Sequence, residues 1–497
     1  MNDAPGKQEC RRTRWSSERP EDRFPVEDPA TGELIAVVQG GGEPEIDAAV
    51  RAAHHAWQQH WRWLAPSERG RLLRECAVLL RRHADELAAL ETLENGKPYT
   101  QSRPYDVELL IASFEYFGAA ADKLPGDFHY GGVIHSFILL EPYGVVGGII
   151  PFNWPPIHTG AKAAPALAAG NTVVLKPGEQ APLTIIRIVE LLQAVLPPDV
   201  LHVVPGHGPI AGRALAAHPL VAKLSFTGST PTGRAVLKLA AEHITPALVE
   251  LGGKNAFIVF ADADLDAALA GAIDAAFFNQ GEACTAASRI LVHRSVYEPF
   301  VERFAQAVGA LKVGDGADPS THVGPLVTRA QQQRVLRYIE LAQTEGARIA
   351  AQALMPTDPR LSQGFFVPPT LLTQVQPTMR IAREEVFGPV TVVIPFESFD
   401  EAIQLANDTE FGLVAGIYSR DSQLLMRAAR RLDVGVVFAN NYYRAILGTP
   451  FGGAKASGYG REHAMQTLRE FGRSKAIRMP SGEGKIPQWF AVKDVLS

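Results

Sequence analysis

From Val145 onward, short apolar runs alternate with longer stretches whose apolar residues recur at helical spacing. Runs at 145–150, 172–175, 201–204, 223–226 and 247–251 predict strands, and stretches near 157–169, 182–196, 209–217 and 231–241 predict helices. Strands that alternate with helices imply parallel pairing with right-handed crossovers, a doubly wound α/β sheet. Such a sheet holds a nucleotide at the carboxyl ends of its strands. After Gly253 the alternation restarts, with strands at 256–260, 289–293, 390–395, 414–418 and 434–439. Helices are expected from Ala263 to Ala276 and near 400–407 and 422–432. Ser295 and Glu298 have capping-box spacing ahead of a helix carrying Phe300, Phe304, Val308 and Leu311. The chain thus reads as two α/β units that meet near Gly252-Gly253.

The remaining segments are less regular. A leucine-rich helix is predicted from Ser67 to Leu93, stopping at Gly96. A second amphipathic run covers Asp106 to Lys123, after a loop with Pro98 and Pro104. Strand-like runs occur at His135–Leu140 and Ser474–Met479. Residues 1–22 are polar and without period, which predicts a disordered tail.

Length and composition narrow the classes. A chain of 497 residues carries a prior of about three domains, or two large ones with an appendage. Hydrophobic residues at 46% and charged ones at 20% describe a soluble globular chain with a sizeable core. A net charge of −5 gives no reason to expect nucleic acid or a membrane surface as a partner. Three cysteines (Cys10, Cys76 and Cys284) are too few and too scattered for a disulfide framework or a zinc site. Cys76 sits among leucines at helical spacing and reads as core. No signal-peptide pattern and no apolar run near 18 residues is present, so a cytoplasmic location and no metal are expected.

The third cysteine has a different setting. Phe277-Phe278-Asn279-Gln280-Gly281-Glu282-Ala283-Cys284-Thr285 is a polar, glycine-bearing turn between a helical run and a strand. A thiol there is rigidly held yet reachable, and its anion is a strong nucleophile. Two other stretches, Glu250-Leu251-Gly252-Gly253-Lys254 and Pro151-Phe152-Asn153-Trp154-Pro155, add a carboxylate and an amide. With LKPGEQ, FTGSTPTG, EEVFGP and PFGGAKASGYGRE they make seven motifs in one order, from near residue 24 almost to the end. In these motifs the chain resembles the aldehyde dehydrogenase superfamily.

The resemblance implies a division into a dinucleotide-binding domain (23–122 and 142–252), a catalytic domain (253–455) and a small oligomerisation element (123–141 and 456–497). Cys284 would be the nucleophile, Asn153 the oxyanion donor, Glu250 the general base for hydrolysis, and Lys162 a member of a proton-relay region. Cofactor contacts would come from Lys176, Glu179, Gly228, Ser229, Gly233, Leu251, Glu385 and Phe387. Gly228 and Ser229 follow a strand and open a helix, as a pyrophosphate site requires. A carboxylate at Glu179 would repel a 2′-phosphate, so NAD is expected over NADP. Trp154, Ile157, His158, Ala161, Phe278, Ala283, Thr285, Tyr442, Tyr443, Arg444 and Phe451 match substrate-channel positions. Their character predicts a medium-sized apolar or aromatic aldehyde, or a semialdehyde whose carboxylate meets Arg444. The expected product is a free acid and the expected assembly a dimer or tetramer. Two alternatives stand beside this reading. A coenzyme A-acylating enzyme is disfavoured by Glu250, and a non-catalytic binding protein by the retention of all three reactive residues.

Overall fold

The computed structural model describes residues 10–444, 446–489 and 491–496. Two mostly parallel sheets organise it. In the six-stranded sheet the spatial order is Gly458–Tyr459, Ala247–Glu250, Val221–Thr227, Val145–Ile149, Thr172–Lys176, Leu201–Val203. Only the Gly458–Tyr459 edge is antiparallel. The two directions of winding therefore diverge between Val145–Ile149 and Val221–Thr227, and a crevice opens beyond their carboxyl ends.

The period of two explains why these strands read as apolar throughout. Val146, Val173 and Leu175 face one core, built with Phe114, Phe117 and Leu167. Val145, Val174 and Leu224 face another, built with Ile46, Val50 and Leu215. A sheet covered on both faces needs apolar residues at every position. Each large side chain so buried contributes ~1.5–3 kcal/mol.

The second sheet has seven strands, in the order Arg348–Gln352, Thr370–Thr373, Val390–Phe396, Arg289–His293, Ala256–Val259, Val414–Tyr418, Val436–Ala439. Again the strand faces alternate, with Ile258 and Leu291 in one cluster and Phe257 and Ile290 in the other. A separate three-stranded sheet joins Asp127–Gly131, Ile134–Pro142 and Gly472–Pro480.

Several expectations are corrected. Residues 10–22 are not a disordered tail: Cys10–Arg11 pairs with the strand Leu34–Gln39, and Ser17 and Asp22 are buried. Trp15 anchors this segment by donating its indole N–H to His202 at 2.9 Å. Residues 1–9 lie outside the described residues. The segment 456–471 does not join the three-stranded sheet. Gly458–Tyr459 pairs with Val249 and Glu250, and the helix Met465–Glu470 buries Leu468 in the first core. The Ser67–Leu93 helix is two helices, Pro66–Arg82 and Ala84–Asn95, broken at His83; Gly96 does end the second, at φ 83°. The helix Arg294–Gly309 is capped by the His293 side chain, which accepts from the Ser295 N–H, rather than by a Ser295 box.

Candidate active site

Cys284 follows a strained turn. The helix Leu265–Phe277 ends in a short 3-10 turn, Phe278–Gly281, where Asn279, Gln280 and Gly281 adopt φ of 54°, 56° and 69° in succession. Non-glycine residues rarely enter this region, and each does so at ~1–3 kcal/mol. The strain is held by contacts on every side. Asn279 donates its side-chain amide to the carbonyls of Asn153 and Glu282, both at 3.0 Å. Asn255 donates to the carbonyls of Cys284 (2.8 Å) and Ala286 (2.9 Å). A Cβ on Gly253 would come within 2.5 Å of the Cys284 carbonyl, so only glycine lets the two chain segments approach. Burial and then the carboxyl of Glu250 push the half-buried Cys284 thiol well above the usual thiol range.

Asn153 follows the strand Val145–Ile149 and is buried. One N–H of its amide donates to the Glu282 carbonyl at 3.0 Å. Its own backbone carbonyl accepts from Lys97 Nζ at 3.2 Å. Lys97 is fully buried, 2.7 Å from Glu91, hydrogen-bonded to Asp106, and 4.4 Å above the Trp154 ring. This ionic cluster braces the Asn153 loop, and sequence reasoning missed it. Its one trace was Lys97 directly after the helix-ending Gly96.

Glu250 closes the strand Ala247–Glu250 and is 2% exposed. Neither of its carboxyl oxygens has a hydrogen-bond partner among the described residues. Burial and the charge of Glu462 lift it to about 8, while the Cys284 thiol and Lys162 pull it partly back. Lys162 is buried in the helix Pro155–Ala168 and donates to Thr227 Oγ1 (2.7 Å), Ser225 Oγ (3.3 Å) and Glu462 Oε1 (3.0 Å). Burial pushes Glu462 upward, but the Lys162 ammonium holds it below its ordinary value. Glu462 was also missed, although it ends the motif PFGGAKASGYGRE.

A cavity of about 430 Å³ opens at the crevice of the six-stranded sheet. It brings together Asn153, Gly228, Ser229, Glu250, Leu251, Cys284, Glu385 and Phe387. Ser229 caps the helix Thr230–Glu242, accepting from the Thr232 N–H, so the positive end of that helix faces the cavity. Such an end suits a phosphate. Glu385 Oε1 accepts from the Gly253 N–H at 2.9 Å, and burial raises its pKa. Arg334 and Gln331, both unforeseen, donate to the backbone carbonyls of Glu385 (2.7 Å) and Phe387 (2.6 Å). Phe387 itself is left-handed at φ 63°, edge-on to Phe152. Gly233 lies behind this wall, where a Cβ would come within 2.5 Å of Leu251. Lys176 and Glu179 stand off the cavity lining as an ion pair of 2.9 Å, with Glu179 also accepting from the Gly208 N–H at 2.7 Å.

Cys284 also borders a second, narrower cavity of 50 Å³. Trp154, Ile157, His158, Thr285, Arg444 and Phe451 line it, with Tyr105 and His463 as unforeseen additions. Phe278 stacks on Trp154, ring centroids 5.8 Å apart, and Tyr105 packs against both. Ala161, Ala283 and Tyr442 are buried; the Tyr442 hydroxyl donates to the Thr285 carbonyl at 2.8 Å. Tyr443 is exposed and off this lining. Arg444 is bound to Asp274, donating to its carboxylate at 2.7 Å and its carbonyl at 2.6 Å.

Residues 15–477 match the model of the aldehyde dehydrogenase family. The aldehyde dehydrogenase citD of Monascus ruber is 54% identical over 97% of this chain and 96% of its own. Human retinal dehydrogenase 2 is 40% identical over 95% of this chain and 91% of its own. Among solved structures, PnpE, a Pseudomonas sp. WBC-3 protein, in complex with nicotinamide adenine dinucleotide superposes with a TM-score of 0.91. That pair is 40% identical, with 94% of this chain and 96% of the other covered.

Proposed function

The chain belongs to the aldehyde dehydrogenase family, and from that premise we propose which residues carry the oxidation of an aldehyde to a carboxylic acid. The observation that carries this reading is the position of Cys284 on both cavities, so that one sulfur borders the two spaces where reactants would sit. The aldehyde enters the narrow cavity and Cys284 Sγ bonds to its carbonyl carbon as the thiol proton passes to the Glu250 carboxylate, which borders the same sulfur. The carbonyl oxygen becomes an anion. The second amide N–H of Asn153 and the backbone N–H of Cys284 stabilise that charge, each by ~3–4 kcal/mol. The wide cavity fits a dinucleotide by its helix N-terminus, its glycines and the carboxylate of Glu385, and NAD bound there would accept the hydride. A thioester then remains on Cys284. Glu250 takes a proton from the water that attacks it and returns it to the departing sulfur, which releases the acid and restores the thiol. Lys162 and Glu462 lie within electrostatic reach of Glu250 and offer the proton taken earlier from the thiol a way out.

Mixing the protein with NAD and an aldehyde panel, with and without coenzyme A, tests this by NADH absorbance. Cys284→Ala should abolish turnover, and coenzyme A should be dispensable. A Cys284→Ala enzyme with the wild-type rate would remove the mechanism.

Glu179 supports NAD over NADP. Its carboxylate, tied to Lys176 and the Gly208 N–H, is held below its ordinary value against burial, and a charged carboxylate repels a 2′-phosphate. A kcat/KM ratio favouring NADP with one aldehyde would overturn this preference. The aromatic lining supports a medium-sized apolar or aromatic aldehyde. The pairing of Arg444 with Asp274 leaves its charge already matched and weighs against a semialdehyde. Self-association as a dimer or tetramer is supported by the three-stranded sheet, which exposes Phe128, Tyr130, Phe137, Leu139, Ile477 and Met479.

A further inference from the structure

The narrow cavity holds polar groups that neither the chemistry nor the fold uses. His158 is 5% exposed and lines it, yet both of its ring nitrogens lack a hydrogen-bond partner among the described residues. His463 lines the same cavity, is 7% exposed, and leaves its Nδ1 without a partner. Buried polar atoms without partners are uncommon, and each requires an explanation. Of the charged groups on this wall, Glu462 is engaged by Lys162 and Arg444 by Asp274 through its two terminal nitrogens, with Arg444 Nε left without a partner among the described residues. His463 is moreover held at φ 69°, a backbone conformation that a non-glycine residue keeps only when its surroundings impose it. Cys284 borders the same space.

We propose that His158 and His463 recognise a hydroxyl group on the substrate, so that the preferred aldehyde is a hydroxylated aromatic one. The inference rests on the aldehyde-oxidation reading above and narrows its substrate class. Of two neutral imidazoles one can present its N–H and the other its bare ring nitrogen, and a hydroxyl can accept from the first while donating to the second. A carboxylate only accepts and an ammonium only donates, so either would leave part of the pair unmet. Burial keeps the rings neutral, pushing His158 down to about 3 and His463 below its ordinary value. Trp154, Tyr105 and Phe451 supply the flat apolar walls that an aromatic body needs. A site with buried hydrogen-bonding groups discriminates strongly against the analogue lacking the hydroxyl, because its own groups are then left unpaired.

The test compares kcat/KM for benzaldehyde, its 2-, 3- and 4-hydroxy derivatives and the matching methyl ethers. The expected result is that one hydroxy isomer exceeds both benzaldehyde and its own methyl ether by about tenfold or more. That ratio should fall toward one in His158→Leu and in His463→Leu, and be partly restored in His158→Gln, which keeps a donor and an acceptor. NADH from benzaldehyde with no hydroxyl preference would overturn the inference and leave the oxidation standing; water would then occupy the histidine pair. A preference unchanged in both leucine variants would overturn it equally. No NADH from any aldehyde would overturn both.

Discussion

Glu250 is the residue at which burial and chemistry pull apart. Its carboxyl is lifted to about 8, so at neutral pH most of it holds a proton and cannot take one from water. Hydrolysis of the thioester should therefore rise with pH through about 8. Stopped-flow NADH traces of Glu250→Gln should show one burst followed by a stall, with that pH limb gone. The same shift has a stability sign. A carboxyl whose folded pKa lies above its unfolded value of 4.5 favours the fold at low pH, and that contribution is lost as pH rises toward 8. The melting temperature of Glu250→Gln should accordingly gain on wild type as pH is raised from 5 to 9, and a gap that shrinks would contradict the assignment. Asn153→Ala should lower kcat by ~10²–10³-fold, the loss typical of one oxyanion donor. That Glu250, Asn153 and Cys284 would meet in one cavity was legible because each stands inside a motif with its own polar context. Glu462 was not, since its partner Lys162 lies 300 residues away, and Lys97 was not, since its partners Glu91 and Asp106 sit on either side of a loop and at no helical spacing from it.

At the scale of elements, the thiol turn and the Asn153 loop lean on the buried Lys97, Glu91 and Asp106. Burial and the neighbouring Glu91 raise Asp106 well above the carboxylate range, so removing the ammonium strips the counter-charge from what negative charge the buried acids share. Lys97→Met should then cost ~3–5 kcal/mol in urea denaturation. Near-neutral stability in that variant would mean the cluster carries no net charge to compensate. Most strands of both sheets could be read from the sequence, because strands buried on two faces are uninterrupted apolar runs. The helices Glu43–Gln59 and Arg329–Thr344 were missed, the first although Ile46, Ala49, Val50, Ala53 and Trp57 recur at helical spacing. The second buries only Val335, Ile339 and Ala342, too narrow a stripe to stand out from its polar residues. The break at His83 was equally silent, since neither glycine nor proline marks it.

For the whole molecule, the three-stranded sheet has an unpaired edge and a face carrying Phe128, Phe137 and Ile477 in the open. Edges of this kind are covered in stable proteins. Light scattering on Phe137→Glu/Leu139→Lys should report a smaller particle than wild type, and an unchanged mass would show that this face is not the contact. The alternation of strands and helices revealed the two sheets. It did not reveal that the chain returns to the first one, because the two-residue strand Gly458–Tyr459 is too short to have a period.

That return dictates an order of events in the cell. The ribosome releases Asn153, Glu250 and Cys284 long before Glu462, whose carboxylate is, among the described residues, the one anion bonded to the buried Lys162 ammonium. Until the last stretch of chain emerges and settles beside Glu250, a nascent polypeptide holds the sulfur but not the finished pocket around it. On the reading proposed above, reactivity at Cys284 should await the arrival of Gly458–Glu462, and an assay of chains ended before Gly458 should find them inert.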